Sequence, residues 1–500
     1  MREVAGPGSL IERALVDAVL HRPVRLPRLP VSLLTREQKA AELERVQALK
    51  AMAAAYEAEL VLGLADDSPA DDDPAPGAPG VRTGSWAPDP ELPGVSEFFT
   101  AELAVVLNVG RGTASHLAHR AWTYRSHLPG TWAALAAGRL DEARAKALVD
   151  VLEHTDLALA RRVEAAVLPE AASLTVGKLK KRALELLLEL DAAAVDERRA
   201  QAERHADVRI HPSPRDGMAT LTAELPTDVA AACEAVVDEL ARMLKADGDE
   251  RPIGQLRTLV LADLLQRPWE TGRPPVTAHL QVIATLAALT GRRGEAGAVN
   301  GLPITAAHLR ELLQQLDALG VRAPEGGSVT LALVDDDGTL RATTTLNRLR
   351  RLARTGCPDH PDTDCDCALL DRPDATDAYT PSAPQQAFVH TRDRTCRFPT
   401  CGQRVGWADT DHVVPHAAGG ATDCANLCCL CRSHHRLKTF ATGWRFHMSA
   451  DGTLTVTTRS GITRTTRPPG LRPPPTEPGP PPADPGPPSP AHPDDDPPPF

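Results

Sequence analysis

Two close pairs of soft metal ligands near the C-terminal end constrain this chain more than any other feature. Cys396 and Cys401 form a C-x4-C pair, and Cys431 with His434 forms C-x2-H. Four such ligands suit a tetrahedral zinc with no open position, a site that folds the chain around it. Nine of the ten cysteines lie after residue 356 and only Cys233 lies before it. Clustering with histidine at metal spacing points to a reducing compartment rather than to a disulfide framework, and the chain is expected to be cytoplasmic. Cys424, Cys428 and Cys429 are surplus to one zinc site. Cys428 or Cys429 competes with Cys431 as a ligand on spacing alone; Cys431 is preferred because a Cys-x2-His opening a short helix points both ligands one way. The others read as small buried hydrophobes.

Interleaved with the zinc set are Asp411, His412, Asn426 and His435. None fits either pair. With the D-H pair, an Asn some way on and a His directly after the C-x2-H, the stretch CRFPTCGQRVGWADTDHVVPHAAGGATDCANLCCLCRSHHRLK resembles the HNH endonuclease family. The wording CRFPTC and LCRSHHRLKT, behind a long helical region, is similar to the actinobacterial thirteen-E-twelve repeat proteins, which join a domain of unknown function to a C-terminal HNH module. The resemblance implies a β-hairpin followed by a helix, with a metal held between them. It implies that Asp411 and His435 bind one divalent cation, Mg²⁺ by preference for a hard carboxylate, with Mn²⁺, Ni²⁺ or Zn²⁺ also admitted by an imidazole. His412 becomes the general base, Asn426 braces the strand and orients His412, and Arg436 and Lys438 meet DNA phosphates without sequence specificity. His416 is expected to face solvent. Gly419-Gly420 suits a loop that turns tightly or approaches other backbone closely.

The formal net charge of −11 argues against a chain that coats nucleic acid nonspecifically. The acid is concentrated in linkers and tail, however. Around the motif Arg392, Arg394, Arg397, Arg404, Arg432, Arg436, Lys438 and Arg445 outnumber Asp393, Asp409, Asp411 and Asp423, as a phosphate-facing module needs. No run of about 18 apolar residues suggests a membrane span.

Taken in order, the sequence predicts an α+β multidomain chain. Residues 1–65 carry an N-terminal helical segment, with a helix over 35–64 capped by Thr35 and an apolar stripe of Leu43, Val46, Leu49 and Ala53. Residues 66–95 form an acidic Pro/Gly linker. Residues 96–346 form a helical to α+β domain whose function its residues do not reveal. Within it, 101–122 reads as helix, break and helix: either two packed helices or a helix-turn-helix that presents Arg111, His116, His119 and Arg120 to DNA. Alternating runs predict hairpins at 205–226 and 328–345. Residues 347–379 are a linker in which Cys357, His360, Cys365 and Cys367 either hold a second metal or are unliganded. Residues 380–461 form the small zinc-stabilised ββα-metal (HNH) module, ending in a hairpin that turns at Asp451-Gly452. Residues 462–500 form a disordered Pro-rich tail. Two other readings stand beside a metal-dependent DNA endonuclease: a zinc-stabilised DNA-binding protein with an inactive centre, and a transcription regulator led by the helix–break–helix.

Overall fold

The computed structural model describes residues 27–74, 92–191, 200–266, 282–284, 296–315, 329–357, 360 and 370–471, apart from single positions 201, 205, 216, 300, 301 and 336. Much of the expected acidic linker, Cys365, Cys367 and the Pro-rich run after 471 lie outside the described residues. The architecture is α+β, and no helix among the described residues is long and apolar enough to cross a membrane. Two compact units emerge: Met1–Leu60 with Arg120–Val195, and Val61–His119 with Asp196–Phe500. The units therefore cut across the sequence boundaries expected at 66 and 96.

The first unit is helical. Its helices are α1 (Arg36–Asp66, shared with the second unit), α3 (Arg111–Ser126, also shared), α4 (Pro129–Ala136), α5 (Glu142–Leu152), α6 (Leu157–Ala171) and α7 (Val176–Leu190). Thr35 and Gln38 exchange backbone and side-chain hydrogen bonds at the start of α1, a capping box. The buried face of α1 is not the leucine stripe. Leu43 is exposed, whereas Ala51, Ala55, Ala58, Leu62 and Ala65 are buried. Periodicity admits both stripes, and the alanine one allows closer helix approach. Asp141 and Asp156 cap α5 and α6 through Arg144 N and through Ala158 N and Leu159 N. Leu148, Leu152, Val163, Val167, Leu179 and Leu187 are fully buried, each contributing about 1.5–3 kcal/mol by transfer from water. The buried Glu164 carboxylate accepts from Thr131 N at 2.6 Å, placing a negative charge at the N-terminus of α4.

The second unit begins with α2 (Phe99–Leu107), which ends at Asn108 in the left-handed region, φ 55°. The expected break between the two helices is thus real. Arg120, which the helix-turn-helix alternative presents to DNA, donates to Glu142 at 3.1 Å. The hairpin β1 (Val208–Pro212) with β2 (Ala219–Ala223) lies where alternation predicts it, and the helices α8 (Thr227–Ala246) and α9 (Ile253–Gln266) follow. A small sheet of β3 (Val282–Ile283), β4 (Ala296–Val299) and β5 (Leu302–Thr305) carries α10 (Ala306–Gln315), and the hairpin β6 (Leu331–Val334) with β7 (Leu340–Thr344) leads into α11 (Leu346–Thr355).

The C-terminal module consists of α12 (Ala383–Asp393), an antiparallel pair β8 (Ala408–His412) and β9 (Leu427–Cys431), the helix α13 (Arg432–Phe440), and a sheet β10 (Arg445–Met448), β11 (Leu454–Thr457), β12 (Thr463–Thr466). The last sheet corrects two expectations: it has three strands rather than two, and β12 lies beyond 461. The turn at Gly452 (φ 84°) is where the sequence places it. Strand β12 is anchored because hydroxyls pair across the sheet, Thr455 with Thr465 at 3.2 Å and Thr457 with Thr463 at 3.0 Å. Thr466 also exchanges bonds with Arg397: its Oγ1 donates to Arg397 O at 2.8 Å and its carbonyl accepts from Arg397 Nη2 at 2.7 Å. A chain ending at Ile462 should therefore lose on the order of 3 kcal/mol or more in unfolding of the module, read by thermal melting, while one ending at Leu471 keeps the full-length transition.

Candidate metal centre and acid–base site

Strand β9 is buried at all five positions, and β8 pairs with it so that Asp409 lies opposite Leu430 and Asp411 opposite Cys428. Strand pleating puts Asp409 and Asp411 on one face and His412 on the other. Across the Asp face runs α13. Its residues 432, 435 and 438 recur every third position and share one side of the helix. His435 lies between the two carboxylates, with Nδ1 3.0 Å from Asp409 Oδ2 and Nε2 3.4 Å from Asp411 Oδ1. Arg432 Nη1 reaches Asp409 Oδ2 at 3.1 Å. Lys438 Nζ lies 2.9 Å from Asp411 Oδ2, an ion pair without hydrogen-bond alignment, so that this buried oxygen has no aligned donor. Asp411 and His435, expected to share a cation, are thus brought together. Asp409 is a member that the sequence reading passed over; its signal was the D-x-D-H alternation, which puts both carboxylates on one strand face.

His412 Nε2 lies 2.8 Å from Thr422 Oγ1, leaving Nδ1 as the other ring nitrogen. Tyr379 stacks on the imidazole at 5.5 Å and 20°, and His416 meets it edge-on at 5.6 Å. Burial pushes the His412 pKa below the usual histidine range; Asp411 opposes this, and the positive charges of His416 and Lys438 add to it. The ring is therefore neutral near neutral pH. His416 is half-buried against Tyr379 and His412 rather than free in solvent.

Asn426 braces a loop, not His412. Its Oδ1 accepts from Val414 N at 2.8 Å, and its Nδ2 donates to Val414 O at 3.0 Å and Ala421 O at 2.9 Å. The expected orientation of His412 falls instead to Thr422, whose carbonyl is held by the buried Gln385 at 2.8 Å. Nothing in the sequence singled out Thr422. Gly419 takes φ 86°, and a Cβ on Gly420 would lie 1.9 Å from Val414 O. Both glycines are therefore required by the loop.

Two other expectations are corrected. Arg436 is buried, with its Nη2 2.6 Å from Glu97 Oε1 and its guanidinium over the Phe440 ring. The Lys438 side chain is 8% exposed and occupied by Asp411. Their positions on α13 turn one toward the core and the other toward β8, so neither is presented to a phosphate backbone. Arg432 is the exposed cation of this helix, with 78% of its side chain accessible.

On the opposite side of α13, the ligand atoms of Cys396, Cys401, Cys431 and His434 all lie within 4.8 Å of one another. His434 Nδ1 is 3.2 Å from Cys431 Sγ and 3.5 Å from Cys396 Sγ. Zinc bonds of about 2.3 Å to sulfur and 2.0 Å to nitrogen would set such tetrahedral edges near about 3.5 Å. The donor set, its burial and its closed fourfold count fit zinc. Thiol neighbours hold the Cys431 sulfur well below the ordinary cysteine range, chiefly through Cys396, while Cys396 is pushed far up. Phe398 stacks on His434 at 3.9 Å and 7°, fixing the ring. Cys424, Cys428 and Cys429 are buried and outside the cluster, as expected. Cys357 Sγ lies 3.7 Å from His360 Nδ1, but the other two members of that expected set fall outside the described residues.

Beneath β9 the buried Arg392 donates to Asp393, to Cys424 O at 2.7 Å and to Leu427 O at 2.6 Å, and Asp393 accepts from Cys429 N at 2.8 Å. This pair, at the end of α12, fixes the strand that delivers Cys431.

A model of a domain of unknown function, DUF222, matches residues 85–324. The chain is 32% identical over 386 residues to the uncharacterized protein Rv3776 of Mycobacterium tuberculosis (strain ATCC 25618 / H37Rv), covering 74% of this chain and 70% of that one. The uncharacterized protein Rv2100 of the same organism is 49% identical over 90 residues, 18% of this chain and 16% of its own length. No solved structure matches the chain significantly.

Neighbouring side chains on a helix diverge by about 100°, which is why His434 and His435 face different sites. His434→Ala should release zinc and lower the melting temperature of the module; His435→Ala should keep both. Zinc stoichiometry by mass spectrometry beside thermal melting checks this, and the reverse pattern would show that the two roles are exchanged.

Proposed function

The chain belongs to the DUF222 family, and from the geometry of its C-terminal module we propose that it is a metal-dependent HNH-type endonuclease that hydrolyses DNA phosphodiester bonds. The observation that carries this reading is the convergence of His435 on Asp409 and Asp411, one residue from a neutral His412 held by Thr422. Strand, strand and helix are in the order that an HNH module needs.

Asp411 and His435 are the residues that would hold the catalytic cation. A buried carboxylate oxygen without an aligned donor, with an ammonium drawn to it, is a position built for positive charge. The hard carboxylate favours Mg²⁺, and the imidazole admits Mn²⁺ or Ni²⁺. When bound, such a cation supplies Lewis-acid stabilisation of charge developing on the phosphate and leaving oxygen. His412 takes the proton of the attacking water on Nδ1, because Nε2 is committed to Thr422 and the unprotonated ring persists at neutral pH. Asn426 and Gly420 fix the loop that follows His412 and so keep the base in place. Arg432, exposed beside Asp409, is the cation of this face available to a DNA phosphate. The structural zinc holds α13 and strand β9 in register. Free thiols buried throughout the module support a reducing, cytoplasmic setting.

A second reading, a zinc-stabilised DNA-binding protein without cleavage, is favoured by one feature: Arg432 and Lys438 already pair with the two carboxylates. Nicking of supercoiled plasmid with Mg²⁺, Mn²⁺ or Ni²⁺, set beside gel-shift binding in EDTA, separates the two. Cleavage is expected, and His412→Ala should lower it by about 10²-fold or more with zinc content and melting unchanged. Binding without nicking under all three cations would establish the second reading.

A further inference from the structure

Helix α2 lies far from the metal module in sequence, inside the stretch that the family model matches. It is nevertheless built into the module's core. Phe98, Ala101 and Val105, spaced as one helical stripe, share a single buried cluster with Cys396, Phe398, Cys431, Leu437, Leu454 and Val456. Three polar contacts tie the segment along its whole length. Glu97 Oε1 takes Arg436 Nη2 at 2.6 Å before the first turn, and Glu102 Oε1 accepts from Ser460 N at 2.8 Å. At the last turn Arg464 donates to Val105 O and Val106 O, each at 3.1 Å, placing a cation on carbonyls of the helix end. Phe98, Phe99 and Glu102 line one cleft together with Ala441, Thr442 and Trp444.

We propose that residues 97–107 are an integral part of the metal module, docked on its terminal sheet and on α13, and that through them this piece of the DUF222 region controls how firmly the zinc site is held. The Glu97 contact falls on Arg436, two residues after His434 and one after His435, so the helix that carries both is clamped from outside the module's own sequence. The surface formed by β11, β12 and α13 is thus a receptor for one helix of the same chain. This inference does not depend on nuclease activity, and its test reads none.

In the full-length, zinc-loaded protein, the double substitution Ala101→Glu/Val105→Glu places two charges in the buried stripe. Backbone hydrogen exchange should show α2, α13 and β10–β12 losing protection together, and zinc should pass to a chromogenic chelator at least about tenfold faster, while α5–α7 keep their protection. Faster exchange confined to α2, with unchanged zinc transfer, overturns the proposal. If α5–α7 open as well, the gentler charge cycle decides. Glu97→Arg and Arg436→Glu should each speed zinc transfer several-fold, by roughly 3-fold or more, and the exchanged pair should recover most of the loss. Equal zinc transfer in all four proteins overturns the proposal.

Discussion

Cys431 is at once the last residue of β9, the N-cap residue of α13, and a member of the Cys/His cluster that could hold a metal such as zinc. Much of the module depends on that coincidence. The strand before it is buried throughout and pinned by the Arg392–Asp393 pair, so the position of Cys431 is fixed before the helix begins. The helix then has no freedom of rotation. With Cys431 and His434 turned to the cluster, His435 and Lys438 must face β8, and Leu437 must face the core. Four converging ligands of this kind, able to hold a metal such as zinc, fix the angular register of the side chains on α13.

That register produces an unusual balance of charge. Two carboxylates on β8 face two cations and a histidine on α13, within hydrogen-bond or ion-pair distance. Such a set is electrically satisfied by protein groups alone. Removing Lys438 is thus not equivalent to removing a surface phosphate contact, because it strips a buried carboxylate of its partner charge.

The remaining order comes from elements distant in sequence. Gln385 on α12 holds the Thr422 carbonyl, Thr422 holds His412, and Tyr379 covers the ring. The terminal sheet grips the segment that carries Cys396 and Cys401 through Arg397 and Thr466, and grips α2 through Arg464. The module is a meeting point for segments drawn from both ends of the second unit.

What the sequence alone determined is what spacing can encode. The Cys/His cluster that could hold a metal follows from C-x4-C and C-x2-H, the divergence of His434 from His435 from helical rotation, and the hairpins at 208–223 and 331–344 from alternation. Gly419-Gly420 was legible because only glycine tolerates such backbone. Each of these is a relation between residues a few positions apart, where covalent geometry fixes relative direction. Tertiary structure alone decided which surfaces those directions meet. Arg436 and Lys438 looked like phosphate contacts because a basic residue near a metal-ligand motif carries no mark of burial. Their partners Glu97 and Asp411 become partners only when α13 closes on the segment before α2 and on β8. Glu97 is 339 residues away from Arg436. Asp409 was legible in the D-x-D-H alternation and was passed over, whereas Thr422 and β12 were missed for the same reason as those partners: a polar side chain acquires its role from a group that the chain brings near by folding, and no local period records that approach.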